Sequence, residues 1–168
     1  MAETSWTTVA TGFQGCPVLG VGLGLRTAIA QDTLASIGLL DWLEIAPENY
    51  MGIGGHAART LGLAARRFPL VSHGVGMSLG GMDPLDANYL DALQALFDTV
   101  DPPWFSDHLC FSATSGRHFN DLLPLPRLPE TVRHVADRVK AVQDRFQRPF
   151  LLENVSHYFE YPIHAGAD

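Results

Sequence analysis

The chain has 168 residues, 46% of them apolar and 17% charged, and a formal net charge of −7. That length predicts one domain able to bury most of its apolar surface. The acidic balance, 18 Asp and Glu against 11 Lys and Arg, argues against a general nucleic-acid binder, which needs a basic face to release counterions.

No apolar run reaches the roughly 18 residues a membrane span requires. Residues 1–11 hold no Lys or Arg and no apolar core, so no secretory signal is expected there. Cys16 and Cys110 are the only cysteines, too few for a disulfide scaffold. A reduced, cytoplasmic setting is the simplest expectation.

In chain order, residues 20–26 read as a short strand and 31–38 as a short helix. Residues 41–49 (DWLEIAPEN) read as a strand ended by Pro47, and 56–67 as a helix. Residues 70–75 (LVSHGV) form a third strand, closed by the glycine-rich stretch 74–81. Residues 86–100 repeat Leu90, Leu93, Leu96 and Phe97 at helical spacing behind an Asp. Residues 104–112 (WFSDHLCFS) read as a fourth strand, 129–146 as the longest helix, and 149–155 (PFLLENV) as a fifth strand.

Such β-α alternation predicts a parallel sheet with right-handed crossovers. Length alone favours an open, doubly wound sheet, because a (β/α)₈ barrel typically needs about 250 residues. Two features oppose that choice. The usual nucleotide fingerprints are absent, and polar residues sit at the carboxyl end of nearly every strand, as at a barrel mouth.

Strand alternation sorts the polar residues by face. Phe105, Asp107, Leu109 and Phe111 share one face, expected to pack on helices. Ser106, His108, Cys110 and Ser112 share the other, which turns His108 inward and leaves Asp107 nearer the wall or rim. Glu44 and Glu48 share a face with Ala46, and Glu153 with Leu151 and Val155. The constellation is Glu44, Glu48, His73, His108 beside Asp107, and Glu153, each near a strand end, with His157 four residues beyond Glu153. Imidazole and carboxylate converging from separate strands suit Zn, Fe or Mn. Asp107 and Asn154 are further ligands or partners that orient the imidazoles.

A single His near a strand end is more often structural. A Glu buried in a strand is rarer, because its charge needs a partner, so Glu44 and Glu153 lean functional. His56, His118, His134 and His164 read as surface residues. Residues 52–55 and 74–81 could cradle an anion through backbone N–H groups, and Cys110 reads as a small buried residue.

Residues 20–26 (GVGLGLR), 42–52 (WLEIAPENYMG), 72–81 (SHGVGMSLGG), 105–112 (FSDHLCFS), 121–126 (DLLPLP) and 151–159 (LLENVSHYF) resemble the domain of unknown function 692 family. This family is also called the multinuclear non-heme iron-dependent oxidative enzymes and includes the methanobactin-biosynthesis oxidase. The resemblance implies a TIM-type (β/α)₈ barrel of the xylose isomerase-like kind, with two or three iron ions (Fe²⁺/Fe³⁺) at its mouth. It implies O₂ as co-substrate, cysteine residues of a ribosomally synthesised precursor peptide as the target, and a partner protein that delivers the peptide.

Carried over by motif, His73, His108 and Glu153 are the expected iron ligands, with Asp107 as fallback for the second position. Glu44, Glu48 and Asn49 are expected at the mouth, the glutamates in the catalytic role. Asn49, Asn154 and His157 are expected toward substrate. Family members continue beyond LLENVSHYF, so residues 1–168 are expected to form a single domain holding the first five β-α units. The alternatives are a divalent-metal sugar isomerase or phosphodiesterase, which would want a Lys where the only one is Lys140, and an inactive fragment or interaction module.

Overall fold

A computed structural model describes residues 16–157. Seven strands occur in this span: β1 (Gly22–Gly24), β2 (Trp42–Ile45), β3 (Leu70–His73), β4 (Phe105–Leu109), β5 (Phe111–Thr114), β6 (Arg117–Leu123) and β7 (Phe150–Asn154). Four α-helices lie between them: α1 (Ala30–Ala35), α2 (Gly55–Ala65), α3 (Ala87–Val100) and α4 (Pro129–Phe146). His164 and the last two residues of LLENVSHYF lie outside the described residues.

Five strands make one sheet in the order β1-β2-β3-β4-β7, and every pair in it is parallel. The order follows the chain without reversal, whereas a doubly wound sheet reverses at a switch point and carries helices on both faces. Here the helices share one face. The strand residues packed into the two helix-bearing clusters are Leu43, Ile45, Leu70 and Phe105, and register sets all four on the same side. The open doubly wound sheet that length suggested is therefore not the arrangement found.

The core sits between that face and the helices. Leu43 and Ile45 are fully buried against α1 and α2. Phe97 of α3, Phe105 of β4 and Phe146 of α4 pack edge to face or tilted, with ring centroids 5.1–5.3 Å apart, a geometry that aromatic quadrupoles favour. Asp86 caps α3 by accepting from the Asn88 and Tyr89 amides, worth about 1 kcal/mol. Pro129 starts α4, where its missing N–H costs nothing. Among the described residues no helix is long and apolar enough to cross a membrane.

Two sequence expectations are corrected. Residues 104–112 are not one strand. The chain turns at Cys110, whose N–H donates to the His108 carbonyl at 2.9 Å, and β5 leaves the sheet to pair antiparallel with β6. A hairpin thus interrupts the β-α repeat. Its Ser115–Gly116 turn has both φ angles positive, as a two-residue hairpin turn requires. The strand expected over residues 41–49 ends at Ile45, because Pro47 opens a 3-10 turn that carries Glu48 off the strand.

Candidate metal centre

The face without helices carries the polar residues. Register sets His73 beside Ser106 and His108 beside Glu153, so His73, His108 and Glu153 share that face at the carboxyl ends of β3, β4 and β7. His73 Nε2 lies 3.5 Å from one Glu153 oxygen and His108 Nε2 lies 3.7 Å from the other. The imidazole centroids are 4.6 Å apart. One ligating atom from each residue falls within 4.8 Å of the others, close enough to share one cation.

The far side of each imidazole is fixed. His108 Nδ1 lies 3.0 Å from the Gly74 carbonyl. A carbonyl only accepts, so Nδ1 donates, and Nε2 is the nitrogen that faces Glu153. His73 Nδ1 lies 2.8 Å from Ser106 Oγ, which in turn reaches the Ser72 carbonyl at 3.5 Å. Ser106 partners the outer nitrogen of His73 on one side and lies near a backbone carbonyl on the other. Both rings thus have a polar partner on the outer nitrogen and turn the inner nitrogen to Glu153, the orientation usual for metal-binding imidazoles. Two imidazole nitrogens and a carboxylate form a donor set that fits Fe, Zn or Mn.

Burial differs sharply across the group. The His108 side chain is 8% exposed and that of Glu153 57%, because β7 is an edge strand of the sheet.

Other expected site residues stand elsewhere. Asp107 points to the helix side of β4 and is fully buried. Its Oδ1 accepts from the His108 amide at 2.6 Å and its Oδ2 from the Met77 amide at 3.2 Å. Burial pushes its pKa up to about 6 against the pull of those two amides, and the Glu48 charge adds to the rise. Glu44 is half-buried on the site face. It pairs with Val71, which puts it one pleat repeat below His73. Asn49 is exposed in the 3-10 turn. Asn154 pairs with Leu109 and by alternation faces away from Glu153. His157 is half-buried beyond β7, and the group that could hold a cation does not include it.

Glu48 is turned into the loop after β3. Its Oε1 accepts from the Val75 and Gly76 amides at 2.8 and 2.9 Å and from the Tyr89 hydroxyl at 2.7 Å. Residues 74–77 do cradle anions through backbone N–H groups, but the anions are this chain's own Glu48 and Asp107. Sequence reasoning missed Ser106 and Tyr89 as partners. The Gly-x-Gly after His73 was the available signal, since a Cβ on Gly74 would lie 2.7 Å from Asp107 Oδ2 and one on Gly76 2.7 Å from the Tyr89 ring.

Cys110 is buried. Burial first, then the Asp107 charge, pushes its thiol up to about 12. His134, expected on the surface, is half-buried with Nε2 2.8 Å from the Gly81 carbonyl. Between the loop after β3 and the hairpin, Val75, Gly76, Ser112 and residues 118–122 of β6 line a cleft of about 510 Å³.

The chain is similar to known proteins over most of its length. It is 42% identical over 144 residues to a UPF0276 protein of Anaeromyxobacter sp. (strain Fw109-5), a match covering 86% of this chain and 51% of that protein. It is 43% identical over 146 residues to a UPF0276 protein of Pseudomonas aeruginosa, with the same coverage of each. A Haemophilus influenzae UPF0276 protein is 42% identical over 145 residues, covering 85% of this chain and 47% of its own. The chain thus spans about half the length of the curated relatives it matches. The model of the RiPP precursor modification enzyme family MbnB/TglH/ChrH matches residues 20–166. The chain therefore belongs to the MbnB/TglH/ChrH family.

Proposed function

We propose that residues 1–168 are one domain, the first β-α units of a TIM-type barrel of the xylose isomerase-like kind. On this reading it is part of an iron-dependent oxidase that uses O₂ to modify cysteine residues of a ribosomally synthesised precursor peptide. Support for the barrel comes from the sequential strand order and the one-sided helices, both features of a sheet that closes on itself. Support for the activity comes from family membership and, above all, from the convergence of His73, His108 and Glu153 within 4.8 Å at three strand ends.

His73 and His108 would bind the metal through Nε2 and Glu153 through its carboxylate. Bound there, iron would supply a redox centre for O₂ and a site that favours the thiolate of a substrate cysteine. Ser106 and the Gly74 carbonyl, the partners of the two Nδ1 atoms, would hold the imidazoles in the ligating orientation. Glu44, on the same face below His73, would line the floor. The cleft between the loop after β3 and the hairpin would seat the peptide and exclude water from its thiol. Asn49 and His157 would contact peptide at the rim, and a separate protein would deliver it.

Anaerobic Fe(II) loading followed by air and a cysteine-bearing precursor peptide tests this reading by mass spectrometry. An O₂-dependent mass change confined to cysteine, and absent from His73→Ala, is expected. A peptide left unchanged by the iron-loaded chain would remove the oxidase assignment from these residues.

A further inference from the structure

The carboxylate of Glu48 is spent on one loop. Every backbone N–H of residues 74–77 has a fixed acceptor. Gly74 donates to the Ser106 carbonyl at 2.8 Å, Val75 and Gly76 to Glu48 Oε1, and Met77 to Asp107 Oδ2. Tyr89 on α3 adds a third donor to the same Glu48 oxygen. The loop also has no slack, because Tyr89 and Asp107 fill the space beside Gly76 and Gly74. Within this loop lies the Gly74 carbonyl that receives the His108 Nδ1 proton.

We propose that Glu48 is a positioning residue for the His73–His108–Glu153 centre. With Tyr89 and Asp107 it fixes the 74–77 loop, and so the carbonyl that holds His108 with Nε2 toward Glu153. The proposal rests on the metal-site reading above. Bonds to a carboxylate are roughly twice as strong as those to a neutral acceptor, and three of them meet on one oxygen. The second oxygen, Oε2, is buried without a partner among the described residues, an arrangement that costs stability and calls for a role elsewhere. Burial raises the Tyr89 phenol well above its ordinary range, which keeps it a donor to Glu48.

The test pairs Co(II) titration, read by the d–d spectrum, with ¹⁵N imidazole NMR of the metal-free protein. Glu48→Ala is expected to bind Co(II) about tenfold more weakly, the scale of losing an outer partner of a metal ligand. In that variant His108 should no longer hold the single Nδ1–H tautomer that the Gly74 carbonyl is expected to impose in the wild type. Glu48→Gln keeps an acceptor at Oε1 and should restore most of the affinity and the tautomer. Tyr89→Phe, which leaves Glu48 on the two amides, should show the same changes at smaller amplitude and decides the matter if Glu48→Ala does not fold.

Wild-type affinity and tautomer in both Glu48→Ala and Tyr89→Phe would overturn the proposal. His73→Ala in the same series reports on the metal site itself. Unchanged Co(II) binding in that variant would overturn the site reading, while the metal-free tautomer still decides the role of Glu48.

Discussion

His108 and Glu153 face each other across one register pair, yet their surroundings are opposite. The middle of the sheet is covered, with Leu43, Ile45 and Val71 at 0% exposure. At β7, Leu151 and Leu152 are both 39% exposed although they point to opposite faces. Among the described residues β7 pairs with β4 alone. The two imidazoles are thus set into a packed wall with their outer nitrogens locked, while the carboxylate rides on a strand with a single neighbour. The wall fixes the two imidazoles, and the edge leaves Glu153 adjustable.

The largest difference should appear in stability. Phe97→Ala, in the aromatic cluster beneath β4, is expected to cost about 3–5 kcal/mol. Leu151→Ala at the edge should cost less than about 1 kcal/mol. Urea unfolding followed by circular dichroism reads both, and equal costs would erase the distinction between wall and edge.

Metal affinity should divide the same way. Losing His108 removes a ligand that nothing nearby can replace. His108→Ala should therefore weaken Co(II) binding on the order of 100-fold, the upper end of what an outer partner costs. Glu153→Ala, whose place water can take at an exposed edge, should weaken it by about tenfold. Isothermal titration separates these, and the reverse ranking would make the edge carboxylate the anchor.

Gly76→Ala presses a methyl group into the Tyr89 ring and should destabilise by about 1–3 kcal/mol, the usual cost of overpacking. Thermal melting checks it. A neutral result would mean that Tyr89 has room to move and that the loop after β3 is looser than the wall it joins.

The smallest effect is chemical. Burial and the Asp107 charge push the Cys110 thiol up to about 12, so at pH 8 its thiolate fraction is roughly one in ten thousand. Iodoacetamide should label half-exposed Cys16 and leave Cys110 unmodified until urea unfolds the chain. Labelling of Cys110 in the folded protein at pH 8 would show that the wall opens.

The wall was more legible in sequence than the loops that serve it. Alternation in FSDHL placed Phe105 under the helices and His108 on the opposite face, because that pattern is dictated by burial. The same rule failed wherever a local turn overrode it. It carried Glu48 onto the Glu44 face, but Pro47 starts a 3-10 turn there. It ran β4 on through Cys110, where no Gly or Pro marks the break. The Ser115–Gly116 pair did carry a hairpin signal. Tyr89 left only the indirect trace of the Gly-x-Gly after His73, and Ser106 left none, since one lies on a distant helix and the other on a neighbouring strand.

The central claim is that His73, His108 and Glu153 together hold a metal ion. Elemental analysis after anaerobic Fe(II) loading and desalting, comparing the wild type with His73→Ala/His108→Ala, tests it most directly. The account predicts at least about one iron per wild-type chain and near none in the double variant, as expected when both nitrogen ligands are gone. Equal iron in the two proteins would place the metal elsewhere and contradict the account.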